Sequence, residues 1–397
     1  MSISMKDIKE FVPIKEVTVK DLLSPKNKIV ALIALVLATM FVIGAVTYFI
    51  HGHHAYGVTR EHPWGLMIAM YIFFVGTSTG LCIIASFGHI FGIKEFNPVG
   101  LKVTFLAIVT LLAGFTVILL EIGHPITMMI YNMLSPGLTS SIWWMGTLYS
   151  LVLGFIIAEF IFALRGDHKL SKLLGIGGLI ADVAAFSTLG SIFGNLVARP
   201  AVNGPFLPIY FILTAVVVGS YLLFVVYGIM YKMEFPEEIK TFLLKLAKIL
   251  GLLLAILIFF DFWAVVTGLY GRLPERADTI MYILTTKSYW IGEILLGAVI
   301  PFVIILKSKG QDIKSLVYAS FFGLVGVFFM RYDMVHNTQV FPMQTLKIRE
   351  YQLPPSLVEY TPSSTEMMIA FGAIGVCMIL YHLGSKLFEL EESGEHH

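Results

Sequence analysis

Ten stretches of this chain are apolar and long enough to cross a lipid bilayer, approximately 28–50, 64–92, 98–120, 142–165, 170–197, 206–231, 239–269, 290–308, 313–332 and 365–388. A span needs about 20 apolar residues, because the hydrocarbon layer is about 30 Å thick and a helix rises about 1.5 Å per residue. In lipid the backbone must satisfy its own hydrogen bonds, so these stretches fold as helices. The two shortest are held apart by Lys307, Lys309, Gly310 and Lys314. Only 13% of residues are charged and 57% are hydrophobic, far from the roughly 25% charged of a soluble domain. The sequence predicts an all-α integral membrane protein with ten transmembrane helices.

Lys and Arg orient such a protein, because they collect on the cytoplasmic side. With the N-terminus inside, most of the 27 Lys and Arg residues fall inside, from Lys6 and Lys15 to Lys314 and Lys386. Arg60, Arg199, Arg272, Arg276, Lys287, Arg331, Lys347 and Arg349 are left outside. The charge pattern therefore predicts a multi-pass protein of the cell (cytoplasmic) membrane with both termini cytoplasmic. Residues 1–27 are polar and lysine-rich; they read as a cytoplasmic segment and predict no cleaved leader. The net charge of +1 gives no basis for binding nucleic acid.

The outer loops carry the distinctive chemistry. Glu121 and His124 stand where one span ends, and Pro125 stops that helix. Trp143 and Trp144 open the next span, where tryptophan anchors at the headgroups. Similar residues return later. Ser141-Ile-Trp-Trp144-Met-Gly146 resembles Ser288-Tyr-Trp290-Ile-Gly292. Gly194 to Arg199 resembles Gly326 to Arg331, and Gly80 and Gly219 share small-residue surroundings. A four-span unit returns the chain to its starting side, so the copies are parallel. The expected organisation is two parallel-repeat four-helix bundles, 63–197 and 205–332, with one flanking helix at each end, 28–50 and 365–390. An extracytoplasmic loop, 333–364, joins the second bundle to the last helix.

Polar residues deep in a span are expensive and mark function. Asp182, Glu159, Asp261 and Glu293 qualify, with Ser187, Ser191 and Asn195 at successive i, i+4 positions. Asp182 lies about 12 residues into its span, roughly 18 Å along the helix. These seven residues are the candidate proton path. The bland alternative for the serines is interhelical bonding. At the outer ends, Glu121 and His124 form the candidate acid–base pair, and Trp64, Tyr71, Trp144, Arg199 and Asn203 the candidate quinone-binding set. A quinone needs an apolar slot, donors to its carbonyls and a base for its protons. The bland alternatives are a Glu121–Arg199 salt bridge and a core role for Tyr71.

Resident redox centres are not expected. A membrane b-type haem needs two histidines on facing helices, and only His89 and His382 lie in or near spans apart from the boundary residues His51, His62, His124 and His336. The HGHH cluster at 51–54 has no second ligand set. Cys82 and Cys377 fall in apolar segments, and there is no CxxCH motif or cysteine cluster, so no c-type haem, iron–sulfur cluster, zinc site or disulfide is predicted.

LEIGHP followed by SPGLTSSIWWMG, residues 120–146, resembles the signature of NrfD/PsrC-type membrane subunits. ARPAVNGPFLPIYFILTAVVVG, 198–219, resembles their ARPLWN motif, with Val202 in place of the usual tryptophan. PWGLMIAMYIFFVGTSTG, 63–80, resembles their first bundle helix. RYDMVHNTQVFP and YTPSSTEMMIAFGAIG are similar to the ten-span branch containing DsrP (HmeB) and HybB. GSIFGNLVARP is closer to DsrP, and the stretch Ala185-Phe-Ser-Thr-Leu-Gly190 lacks the histidine of HybB.

The resemblance implies a haem-free menaquinone-binding subunit that exchanges electrons with an extracytoplasmic ferredoxin-like iron–sulfur subunit. A DsrMKJOP-like assembly would add a multihaem cytochrome c, a haem b membrane subunit and a cytoplasmic iron–sulfur subunit, and would serve sulfite reduction. A HybB-like subunit of a hydrogenase or polysulfide-reductase-like complex is the alternative. From other classes, a secondary transporter would also suit two parallel bundles with buried carboxylates, but it lacks interrupted midplane helices. A bare anchor for redox partners would not need Asp182 and Glu293 inside the membrane. The outer loops 121–144 and 332–364 are the expected dock.

Overall fold

The computed structural model describes residues 12–22, 24, 27–271, 273–341 and 357–390. Arg272, Lys347, Arg349 and the middle of the expected loop 333–364, residues 342–356, lie outside the described residues. All ten expected spans are helices long and apolar enough to cross a membrane. They are α1 (Lys28–His51), α2 (Leu66–His89), α3 (Gly100–Glu121), α5 (Ser141–Leu164), α6 (His168–Gly194), α7 (Phe206–Met230), α8 (Glu237–Tyr270), α10 (Ser288–Ser308), α11 (Ile313–His336) and α12 (Ser364–Leu387). Two further helices are shorter, α4 (Pro125–Leu134) and α9 (Pro274–Thr285). No strand occurs among the described residues.

Local chemistry sets the helix starts. The Asn27, Ser140, Asp167 and Asp312 side chains accept first-turn N–H groups of α1, α5, α6 and α11, which satisfies donors that have no partner inside the helix. Ser363 and Glu366 cap α12 reciprocally. Pro125 does stop α3, but it also opens α4, since proline at the first helical position loses no bond. The expected outer loop 121–144 therefore contains a short helix, and α9 is a second helix outside the expected spans. The first turns of α10, Ser288–Val299, are wound as a π-helix that carries Glu293.

The expected flanking helices are neighbours: α1 packs along α12, and α12 also packs on α3. The close approach needs glycine, because a Cβ on Gly372 would lie 2.5 Å from Phe41 N. α2 is the most enclosed span, packed by α3, α6, α7 and α11, while α7 and α11 extend the fold to α8 and α10. Gly80 of α2 and Gly219 of α7, paired above as repeat positions, touch each other. A Cβ on Gly219 would lie 2.8 Å from Gly80 C, and one on Gly80 would overlap Ala215 O. Tyr71 and Tyr210 stand the same number of residues before these glycines. The two short helices are also alike. α4 and α9 both begin with proline. In each case the next span's tryptophan donates its N–H six residues back, Trp144 to Leu138 O at 2.9 Å and Trp290 to Leu284 O at 2.8 Å.

Candidate functional site

The end of the bundle where α3 stops gathers a cluster of buried polar groups, among them His62, Arg199, Gln339 and Glu366. Glu121 is half-buried, and its Oε2 has no hydrogen-bond partner. Tyr56 donates its hydroxyl to Leu120 O at 2.9 Å. Tyr48 stacks on Tyr56 with centroids 5.3 Å apart, and His53 stands edge-on to both rings. Burial, reinforced by the Glu121 and Glu366 carboxylates, pushes the Tyr56 phenol well above its usual range. Tyr56 therefore stays a donor.

Glu366 continues the cluster. It is fully buried, and its carboxylate accepts from Gly57 N at 2.7 Å, Tyr360 Oη at 2.7 Å and Ser363 N at 2.8 Å. Tyr360 Oη in turn accepts from Leu66 N at 2.7 Å, which closes the first turn of α2. The His62 ring stacks on Tyr360 at 4.4 Å, and its Nε2 lies 2.9 Å from His336 Nδ1. Burial holds His62 below the ordinary histidine range, so this pair shares one proton between neutral rings. Gln339 brackets Trp64, accepting from its N at 3.2 Å and donating to its O at 2.8 Å. Arg199 donates to Phe341 O at 2.5 Å. Trp64 meets Phe193 edge-on at 5.3 Å, and Phe193 leads inward to Phe211.

Deeper in the bundle, the Arg331 side chain is fully buried. It donates to Thr214 Oγ1, and its guanidinium stands 4.6 Å over the Phe211 ring. Asp182 Oδ1 accepts from Thr79 Oγ1 at 2.7 Å, and Asp261 Oδ1 accepts from Tyr210 Oη at 2.9 Å. Glu293 and Asp333 are buried in the same half as Asp261. Glu159 lines a closed cavity of about 20 Å³ with Cys82, Ser86 and Thr104, which has room for about one water.

Residues 54–343 match the family described as polysulphide reductase, NrfD. The chain belongs to the NrfD family. Two NrfD-type relatives cover nearly the whole length. The chain is 24% identical to the C subunit of selenate reductase from Mesobacillus selenatarsenatis, over 89% of this chain and 92% of that one. It is 25% identical to the Hdr-like menaquinol oxidoreductase integral membrane subunit of Archaeoglobus fulgidus, over 90% of this chain and 93% of that one.

The NrfD signature residues do not all meet. Trp64 and Arg199 converge on the Gln339–Phe341 segment. Glu121 sits with Tyr48 and Tyr56. His124 is exposed at the start of α4. Trp144 is partly exposed on α5, with its N–H spent on Leu138. Asn203 closes its own loop, donating to Gly194 O at 2.9 Å. Tyr71 lies further in, against Tyr149 and Met145. The described residues hold no Glu121–Arg199 ion pair, so that structural alternative falls. Ser187, Ser191 and Asn195 lie on the opposite side of α6 from Asp182. Ser191 Oγ bonds Ser187 O of its own helix at 3.0 Å, and Asn195 reaches Ser141 at 3.3 Å.

Tyr48, Tyr56, His62, His336, Gln339, Tyr360 and Glu366 were not singled out as site residues by sequence reasoning. The available signal was the motif set itself, since VHNTQVFP and YTPSSTE hold four of the seven and His62 directly precedes the PWG stretch. Glu366 was hidden by its local role, because a capping-box glutamate explains itself without any distant partner.

Proposed function

We propose that this chain is the haem-free, quinone-reactive membrane subunit of a respiratory redox complex, working on menaquinone or menaquinol. The observation that carries the reading is the unpaired, half-buried Glu121 carboxyl oxygen beside the Tyr48–Tyr56 stack. That arrangement fits a quinone: aromatic walls for the ring and a carboxylate for a proton. A quinol gives up two electrons and two protons when oxidised. The electrons would pass to the docked iron–sulfur subunit, and Glu121 would take the two protons in turn, with the exposed His124 passing each to water. Trp64, Arg199 and the His62–Tyr360 group would hold the adjoining wall rigid, while Tyr71, Trp144 and Asn203 complete the proposed set.

The Glu121 end is taken as extracytoplasmic, with both termini cytoplasmic. An extracytoplasmic ferredoxin-like iron–sulfur subunit would dock there and exchange electrons. The nearest branch by motif is DsrP, in a DsrMKJOP-like complex linked to sulfite reduction. The buried residues Asp182, Glu159, Asp261 and Glu293 are the proposed proton path, and 63–197 and 205–332 the two duplicated bundles. The name of the Archaeoglobus relative, a menaquinol oxidoreductase subunit, supports the quinone. Purification from its own membranes in mild detergent tests all of this. Menaquinone and an iron–sulfur subunit should co-purify, and no Soret band should belong to this chain. A purified chain that takes up a solute unaided, with no quinone or redox partner, would refute it.

A further inference from the structure

α4 differs in its exposure from α9, the other helix of ten or more residues outside the spans. None of its residues is buried. Its place in the chain fixes its depth, because α3 ends at Glu121 just before it and α5 begins at Ser141 just after it. Both ends are therefore tied to one boundary of the bilayer. Two bonds hold it against α5: Trp143 Nε1 donates to Asn132 O at 2.7 Å, and Asn132 Nδ2 donates to Thr147 Oγ1 at 3.1 Å.

The helix surface divides into three sectors, at about 100° per residue. Pro125, Met128 and Asn132 face α5 and are half-buried. Met129, Met133, Ile126, Ile130 and Leu134 sweep the next arc, and they are between 50% and 77% exposed. Thr127 and Tyr131 close the circle and are also exposed. Such a division, with one flank apolar and the neighbouring flank polar, suits a helix lying flat at a membrane surface.

We propose that α4 lies in the interfacial layer, parallel to the bilayer plane, with Ile126, Met129, Ile130, Met133 and Leu134 sunk among the acyl chains. Three observations select lipid over a protein partner. The helix α4 is bonded to, α5, also exposes an apolar side, which carries Trp144 and Leu151. No Asp, Glu, Lys or Arg occurs from residue 122 to residue 158, so the patch has none of the charged rim that surrounds a protein interface. The third is the contrast with α9. That helix has the same proline start and tryptophan bond, yet it carries Glu275, Arg276 and Asp278 and buries Thr279 and Ile280 against the protein. The duplicated element folds onto the protein in one unit and is left to the lipid in the other. Thr127 and Tyr131 then remain for water or an aqueous partner. The inference is independent of the quinone reading.

The test places a nitroxide on Met133→Cys and, separately, on Thr127→Cys of the full chain in phosphatidylcholine–phosphatidylglycerol nanodiscs. The parent chain, with Cys82 and Cys377, sets the background label. Collisions with oxygen report acyl chains, and collisions with a neutral nickel chelate report water. The oxygen-to-nickel ratio at Met133 should exceed that at Thr127 several-fold. Equal ratios would place the whole helix in water and overturn the proposal. A Met133 label screened from both reagents would show a protein or second copy on the patch, and would overturn it too. Ile126→Cys, in the same sector, gives the same readout if Met133→Cys does not fold.

Discussion

The imidazoles of His62 and His336 meet at 2.9 Å across 274 residues of sequence. His62 precedes α2 and His336 ends α11, so one contact ties neighbouring ends of these two helices together. Tyr360, stacked on His62, brings in the segment before α12 as well.

The contact should make stability pH-dependent. Burial lowers the His62 pKa from 6.5, so the unfolded chain binds the proton more tightly than the folded one. The stabilisation is then complete above the ordinary histidine value and declines as pH falls below it. His62→Gln should flatten that acid-side decline in thermal unfolding scans in detergent. A parent and a variant with parallel curves between neutral and mildly acidic pH would show that His62 does not contribute.

Glu121→Gln should lower quinol-linked electron transfer by about 10²-fold, the scale of a positioned acid–base group, and leave assembly intact. His124→Ala should slow the reaction less, because the ring is exposed and water can replace it. Steady-state quinol oxidation by the purified complex distinguishes them. Parent rates in both variants would move the proposed site elsewhere.

Gly80→Ala should destabilise the chain by about 1–3 kcal/mol, the usual cost of overpacking. Its Cβ would overlap Ala215 O, a backbone atom of α7 that cannot turn away. A lower unfolding temperature in detergent is the expected result. Gly154→Ala, where a Cβ would meet nothing within 4 Å, is the control that should stay at the parent value.

Asp182→Asn and Glu159→Gln test the proposed proton path. Each should reduce proton translocation by the complex in sealed vesicles while electron transfer continues. Ser191→Ala should change neither, because its hydroxyl is bonded within α6 on the side away from Asp182. Loss of translocation in Ser191→Ala alone would reverse that assignment.

The ten spans were legible in the sequence because a lipid-buried backbone must close its bonds within a few residues, which leaves only long apolar helices. The same locality made one end readable, at Pro125, and it exposed the similar tryptophan and glycine positions. The site was legible only in part. Glu121, Trp64 and Arg199 stood out by residue type and motif. That Trp64 and Arg199 share the Gln339–Phe341 segment, while His124 faces out, did not. The α1–α12 pairing, the His62–His336 contact and the Gly57 N–H donated to Glu366 were decided by the tertiary structure alone. Each joins groups far apart in sequence, and helix packing rather than local propensity determines which faces meet. The serine stripe divides the same way: spacing alone puts Ser187, Ser191 and Asn195 on one face, opposite Asp182, but only the packed bundle brings Asn195 to Ser141.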